Sequence, residues 1–120
     1  MKAYIKAISY ALPEKVITND DLVQDFPEWT AEKVADKLGV KQRHVVSETE
    51  TATDLATQAA ENLFKDNSDI RRETIDFVLL CTQSPDYFLP TSACIIQHRL
   101  GLSTLIGALD FNMGCSGFVY

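Results

Sequence analysis

The segment Asp76-Phe77-Val78-Leu79-Leu80-Cys81-Thr82 places five apolar residues in a row between polar ends. A strand that is apolar on both alternating faces is suited to burial on both, which is the position of a central strand in a parallel sheet between helices. Leu105 to Phe111 is a second run of the same kind. Helical patterns precede and separate the two. Thr51-x-x-Asp54 is a capping-box-like start with Asp at the third position, and Leu55, Ala56, Ala59, Ala60 and Leu63 then repeat at helical spacing. Pro90-Thr91-Ser92 opens another helix that carries Ala93, Cys94, Ile96 and Leu100 and stops at Gly101. Buried strands alternating with amphipathic helices predict an α/β layered fold.

The first fifty residues read less regularly. Ala3 to Ala11, with Tyr4, Ile5, Ile8 and Tyr10, reads as a strand, and Leu12-Pro13-Glu14-Lys15 as a turn. Thr18-Asn19-Asp20-Asp21-Leu22 starts a short helix that Pro27 closes. A second helix runs from Thr30 to Gly39, where glycine suits a left-handed terminus, and Arg43 to Val46 reads as a short strand.

Eleven Lys and Arg stand against 17 Asp and Glu, a net charge of −6. An acidic chain without a basic stripe is a poor partner for a phosphate backbone, so nucleic acid is set aside. The apolar runs are far shorter than the ~20 residues of a membrane-crossing helix. The opening Met-Lys-Ala-Tyr-Ile-Lys lacks the apolar core of a secretory signal. Three widely spaced cysteines, Cys81, Cys94 and Cys115, suggest neither a disulfide framework nor a zinc site. The expected compartment is the reducing cytoplasm.

Cys115 is the residue most suited to chemistry. Gly114, Ser116 and Gly117 surround it where a strand is expected to turn sharply into a helix. Small neighbours admit substrate, a helix N-terminus favours thiolate, and free N–H groups there can receive an oxyanion. The competing reading is a small buried hydrophobe, the commonest fate of a free cysteine. Cys81 inside the apolar strand and Cys94 on an apolar helix face are read as structural. His44 and His98 are the available bases for Cys115, and neither is adjacent to it in the sequence. A base outside this chain is therefore expected. Trp29, the sole tryptophan, either packs or offers a flat face to a ligand ring. Asp66 to Glu73 reads as a solvated acidic loop. The last helix is only about one and a half turns long at Tyr120, too short to stand alone. The 1–120 chain is accordingly expected to be the N-terminal part of a longer protein.

Four blocks together resemble β-ketoacyl-acyl carrier protein synthase III. They are Ser9 to Leu22, Gly39-Val40-Lys41-Gln42-Arg43-His44-Val45, Pro90 to Gln97, and Asp110-Phe111-Asn112-Met113-Gly114-Cys115-Ser116-Gly117-Phe118. The resemblance runs in order along nearly the whole chain. It implies a thiolase-like fold of two similar α/β halves in a homodimer, this chain being most of the first half. It implies that Cys115 is acylated by an acyl-coenzyme A and that the thioester then condenses with malonyl-acyl carrier protein, releasing carbon dioxide. The catalytic His and Asn of the family belong to the second half, and no metal or redox cofactor is implied. Trp29 matches the residue that stacks on the coenzyme A adenine, at a longer spacing from Gly39 than in familiar bacterial members. Lys37 stands where an Arg often meets the coenzyme A phosphates. Leu89 matches a position, often Phe, that reaches across the dimer into the partner's acyl pocket. Polyketide-type condensing enzymes, 3-hydroxy-3-methylglutaryl-coenzyme A synthases and non-catalytic subunits of the same fold are the alternatives. The retained Cys115 speaks against the last.

Overall fold

In chain order the elements of the computed structural model, which describes residues 2–120, are β1 (Lys15–Thr18), α1 (Asn19–Asp25), α2 (Ala31–Leu38), β2 (Gln42–Val45), α3 (Ala52–Asp66), β3 (Phe77–Cys81), α4 (Ser92–Arg99) and β4 (Gly107–Phe111), with 3₁₀ turns at Arg72–Thr74 and Gly114–Phe118. The chain divides into two units: Leu12–Glu50, and the segment up to Ala11 together with Thr51–Tyr120.

In the larger unit β3 and β4 pair in parallel, with Phe77 opposite Gly107, Leu79 opposite Leu109 and Cys81 opposite Phe111. Helices α3 and α4 pack together, and α4 lies against both strands. Ile96, Leu100 and Leu102 form the buried centre, joined by Ala56, Ala60, Phe64, Val78, Leu80 and Ile106. Strand alternation sends Val78 and Leu80 into this layer and their neighbours to the other face.

That other face differs from the sequence expectation. Phe77 is 54% exposed and Leu79 61%, so β3 is covered by helices on one side only. Apolarity on both faces records what a strand can bury. Among the described residues no helix covers Phe77 and Leu79, and only the 3₁₀ turn Gly114–Phe118 reaches the Cys81 end. The strand expected over Ala3–Ala11 does not form. Its Tyr4 and Ile8 are 82% and 76% exposed, and the segment has no ladder partner among the described residues. A strand needs a partner for its N–H and C=O groups, whatever its side-chain pattern.

Buried polar groups tie this unit together. Thr53, fully buried, donates to Asp86 Oδ1 at 2.7 Å, and the Asp86 N–H donates to the hydroxyl of fully buried Ser92 at 3.2 Å. Helix α3 starts on the expected box, with the Asp54 N–H bonded to Thr51 Oγ1 and Asp54 bonded back to the Thr51 N–H at 2.8 Å.

In the smaller unit Thr18 and Asp21 form a second capping box, Thr30 caps α2, and Gly39 ends it at φ +67°. The antiparallel pair β1–β2 runs from Lys15 opposite Val45 to Thr18 opposite Gln42. Strand β1 has no counterpart in the sequence reading: the four residues Lys-Val-Ile-Thr fall between a proline turn and a helix cap, too few to register as a period. Asn19, 6% exposed, donates to the Val40 carbonyl at 2.9 Å and accepts from Arg43 at 2.6 Å, fastening α1 to β2 and to the end of α2.

Candidate functional site

Strand β4 ends at Phe111, and the chain reverses through Asn112 and Met113 into Gly114–Phe118. Gly114 sits at φ +56°, a left-handed conformation that a side chain would strain. It opens a five-residue 3₁₀ turn, where the sequence suggested the start of a longer helix. Cys115 is the second residue of this turn, and its thiol is exposed. Met113, at the N-cap, makes no side-chain bond to the turn. The first N–H groups of such a turn lack intrahelical partners and are free to meet an acceptor. Ser116 Oγ donates back to the Met113 carbonyl at 2.8 Å and closes the loop. The arrangement is an exposed thiol at the start of a turn whose first N–H groups have no partner within it, a setting suited to a nucleophile that generates an oxyanion.

Gly117 is buried, and a Cβ added there would overlap Cys81 Sγ and stand 3.4 Å from the Phe111 ring. Cys81 itself is exposed on the uncovered face, not enclosed as the apolar strand suggested. Cys94 is half-buried and takes the Thr91 hydroxyl at 3.3 Å, in keeping with a structural role.

The two histidines lie in different units. His98 is exposed near the C-terminal end of α4. The N-terminal end of that helix is bonded to Asp110, near the C-terminal end of β4, with Asp110 accepting from Ser92 and Ala93 at 2.7 Å each. A crossover helix runs back along its sheet, which carries His98 about 9 Å toward the opposite end at 1.5 Å per residue. His44 lies in the smaller unit with Nδ1 2.6 Å from the Pro13 carbonyl, a contact that requires the proton on Nδ1.

The loop after β3 shares the C-terminal edge of the sheet with Cys115, the edge at which α/β sheets place ligands. It carries Tyr87, Phe88 and Leu89, which are 62%, 99% and 83% exposed. A shallow pocket of about 170 Å³ lies where Tyr87 and Phe88 meet Thr82, Phe111 and Asn112. Leu89 stands outside that lining.

Trp29 and Lys37 are together in the smaller unit. They border an apolar pocket of about 190 Å³ with Leu22, Phe26 and Val34 behind them. Lys33 Nζ lies 4.9 Å and Lys37 Nζ 5.8 Å from the centre of the Trp29 ring, within cation–π range. Lys33 is not among the sequence candidates. A signal for it exists: Lys33 and Lys37 are four residues apart on α2, the spacing of one helix face, and Trp29 stands four residues before Lys33, just ahead of the Thr30 cap.

Among the described residues no group of three or more His, Cys, Asp or Glu is placed to hold a metal ion, and no helix is long and apolar enough to cross a membrane.

No family model matches the chain. It is 39% identical over 119 residues to the β-ketoacyl-[acyl-carrier-protein] synthase III of Oleidesulfovibrio alaskensis, covering 99% of this chain and 35% of that protein. Its fold superposes on a 3-oxoacyl-(acyl-carrier-protein) synthase III crystal structure with a TM-score of 0.90 at 53% identity, over 97% of this chain and 34% of the other. The corresponding enzyme of Thermus thermophilus matches with a TM-score of 0.87 at 32% identity, over 98% and 36%. The resemblance to β-ketoacyl-acyl carrier protein synthase III and the thiolase-like α/β fold are thus both borne out. The chain spans about a third of the length of the relatives it matches.

Proposed function

We propose that this chain is the nucleophile-bearing first part of a β-ketoacyl-acyl carrier protein synthase III, and that Cys115 is its acylated residue. The observation that carries the reading is an exposed thiol on a glycine-initiated 3₁₀ turn at the C-terminal edge of a parallel β-pair. Relatives named for this activity, aligned over the whole chain, support it. The Cys115 thiolate attacks the thioester carbonyl of an acyl-coenzyme A. The carbonyl oxygen gathers charge facing the open N–H groups of the turn, and coenzyme A leaves as a thiol after taking up a proton. Decarboxylation of malonyl-acyl carrier protein supplies the carbanion that attacks the Cys115 thioester, returning the thiolate. The base and the groups that stabilise the enolate are the His and Asn that the resemblance assigns to the family's second half; His98, toward the far end of α4, is not in place to serve. Two copies of the full protein form the working dimer, in the cytoplasm, with Leu89 directed to the partner's acyl pocket. Trp29 takes the adenine of coenzyme A, and Lys37 with Lys33 the phosphates.

The test is acyl-enzyme formation in the full-length protein. Incubation with an acyl-coenzyme A is expected to add one acyl mass to the peptide containing Cys115, and Cys115→Ser to abolish it. Acylation persisting at the same rate in the variant removes the assignment. The 120-residue chain alone is expected to give no malonyl-dependent product, because the missing groups supply several kcal/mol of barrier lowering.

A further inference from the structure

We infer that Cys81 is a positioning residue for Cys115, its sulfur serving as the stop on which the nucleophile's turn is seated. The inference rests on the assignment of Cys115 as nucleophile. Cys81 pairs with Phe111 in the β3–β4 register, so the two side chains emerge on the same face, the one the helices leave open. The turn Gly114–Phe118 crosses that face at its C-terminal edge, and Gly117 is the turn's buried residue. A Cβ on Gly117 would overlap Cys81 Sγ, while its other neighbours, Phe111 Cε2 at 3.4 Å and Cys81 Cβ at 3.5 Å, are at ordinary contact distance. One atom, the Cys81 sulfur, therefore fills the space that a side chain at 117 would need. The height of the turn above the sheet is set by that sulfur as well as by the turn's own hydrogen bonds.

A second contact points the same way. The Cys81 thiol donates weakly to the Gly114 carbonyl, at 4.0 Å. The peptide joining Gly114 to Cys115 is trans, so its N–H points opposite to its C=O. Holding the Gly114 carbonyl toward Cys81 turns the Cys115 N–H away from it, toward the side on which an acyl oxygen would sit. The two glycines flanking the nucleophile thus have different causes. Gly114 answers a backbone requirement at φ +56°, and Gly117 answers a neighbour on another strand.

The test uses four full-length proteins: wild type, Gly117→Ala, Cys81→Ala and the double variant. Acylation of Cys115 by acyl-coenzyme A is followed by mass, and alkylation of Cys115 by iodoacetamide is followed across pH. Gly117→Ala is expected to slow acylation about a hundredfold, with KM for acyl-coenzyme A little changed, as for a displaced reacting group. Cys81→Ala alone, which removes the stop, is expected to slow acylation about tenfold with KM little changed, and the double variant to regain at least about tenfold over Gly117→Ala, its alkylation profile returning toward wild type. A Gly117→Ala or Cys81→Ala enzyme at wild-type rate, or a double variant no faster than Gly117→Ala, overturns the inference. If Gly117→Ala does not fold, Cys81→Leu presses the same contact from the strand side and is expected to lose acylation with KM preserved; unchanged kinetics there overturn it equally. Absence of acylation in the wild type defeats the proposed function instead. The alkylation rates of Cys115 in the four proteins then judge the positioning role separately.

Discussion

Asp110 on β4 accepts the backbone N–H of Ser92 at 2.7 Å, and its second oxygen accepts that of Ala93 at the same distance. Helix α4 has no side-chain cap from Thr91, so a carboxylate from the adjacent strand takes that place. Two charge-assisted bonds to N–H groups at a helix start are among the stronger local interactions, at about 1.5–3 kcal/mol for a bond to a charged group. The pair also joins the strand that leads to Cys115 to the helix that comes after the Leu89 loop. Asp110→Ala is expected to lower stability by roughly 2–3 kcal/mol, seen as a fall in the urea midpoint followed by circular dichroism. Asp110→Asn, whose amide offers one acceptor oxygen, is expected to fall between. A midpoint unchanged in Asp110→Ala would show that water replaces the carboxylate at no cost.

The relationships that the sequence announces are local ones. Thr18 with Asp21, Thr51 with Asp54, Thr30 and Gly39 act within one turn of their own helix, and each is found at the terminus expected. The relationships that it conceals are between distant residues. Asp110 reaches back 17 and 18 residues to α4, and the cause of Gly117 is a sulfur on β3. Glycine at 117 can be read as a mark of a tight turn, but not as a complement to Cys81. Phe77 and Leu79 are legible as apolar, yet a residue's hydrophobicity does not say whether its covering layer is present. The same holds for Tyr4 and Ile8, whose alternation requires a partner strand to become a strand.

Asp54 makes the stability of the larger unit depend on pH. The Thr51 N–H first, and Arg99 at 2.7 Å next, hold its carboxyl below the usual carboxylate range. A lowered folded-state pKa means that the unfolded chain binds the proton more readily. The carboxylate therefore contributes stability above the ordinary Asp value of about 4, and the contribution is lost as pH falls through the lowered value. Asp54→Asn is expected to be less stable than wild type at pH 7, with the gap closing toward pH 2. Urea midpoints at four pH values give the curve. A constant offset across the range would assign the loss to packing rather than to charge.

Trp29 provides its own signal, being the sole tryptophan of the chain. Coenzyme A titrated into the protein is expected to quench its fluorescence as adenine covers the ring. Base-on-aromatic stacking is worth about 1–3 kcal/mol, so Trp29→Phe retains binding while Trp29→Ala weakens it by roughly tenfold or more; those variants are read by calorimetry. Lys37→Arg is expected to tighten binding a few-fold, because a guanidinium fork holds phosphate at two points where an ammonium holds it at one. Lys37→Ala is expected to weaken it and to flatten its salt dependence. Binding indifferent to both Trp29→Ala and Lys37→Ala would return this pocket to a purely structural role.

Leu89 is expected to set acyl length across the dimer of the full enzyme. It is 83% exposed in this chain, on a loop fastened beneath it by Asp86 to the hydroxyls of Thr51 and Thr53. An apolar side chain held out from an anchored loop is open to cover from another layer, and the proposed function assigns that layer to the partner subunit. In the proposed dimer its side chain closes the far end of the partner's acyl pocket. Leu89→Phe fills that end and is expected to shift preference toward short primers such as acetyl, while Leu89→Ala admits longer ones. A methylene of fit in an apolar pocket is worth about 1–3 kcal/mol, so relative kcat/KM across a ladder of acyl-coenzyme A lengths is expected to move by roughly tenfold or more. The assay is a competition among chain lengths, with the dimer checked by sedimentation. If both variants stay dimeric and rank the primers as wild type does, Leu89 packs the interface and does not measure the substrate.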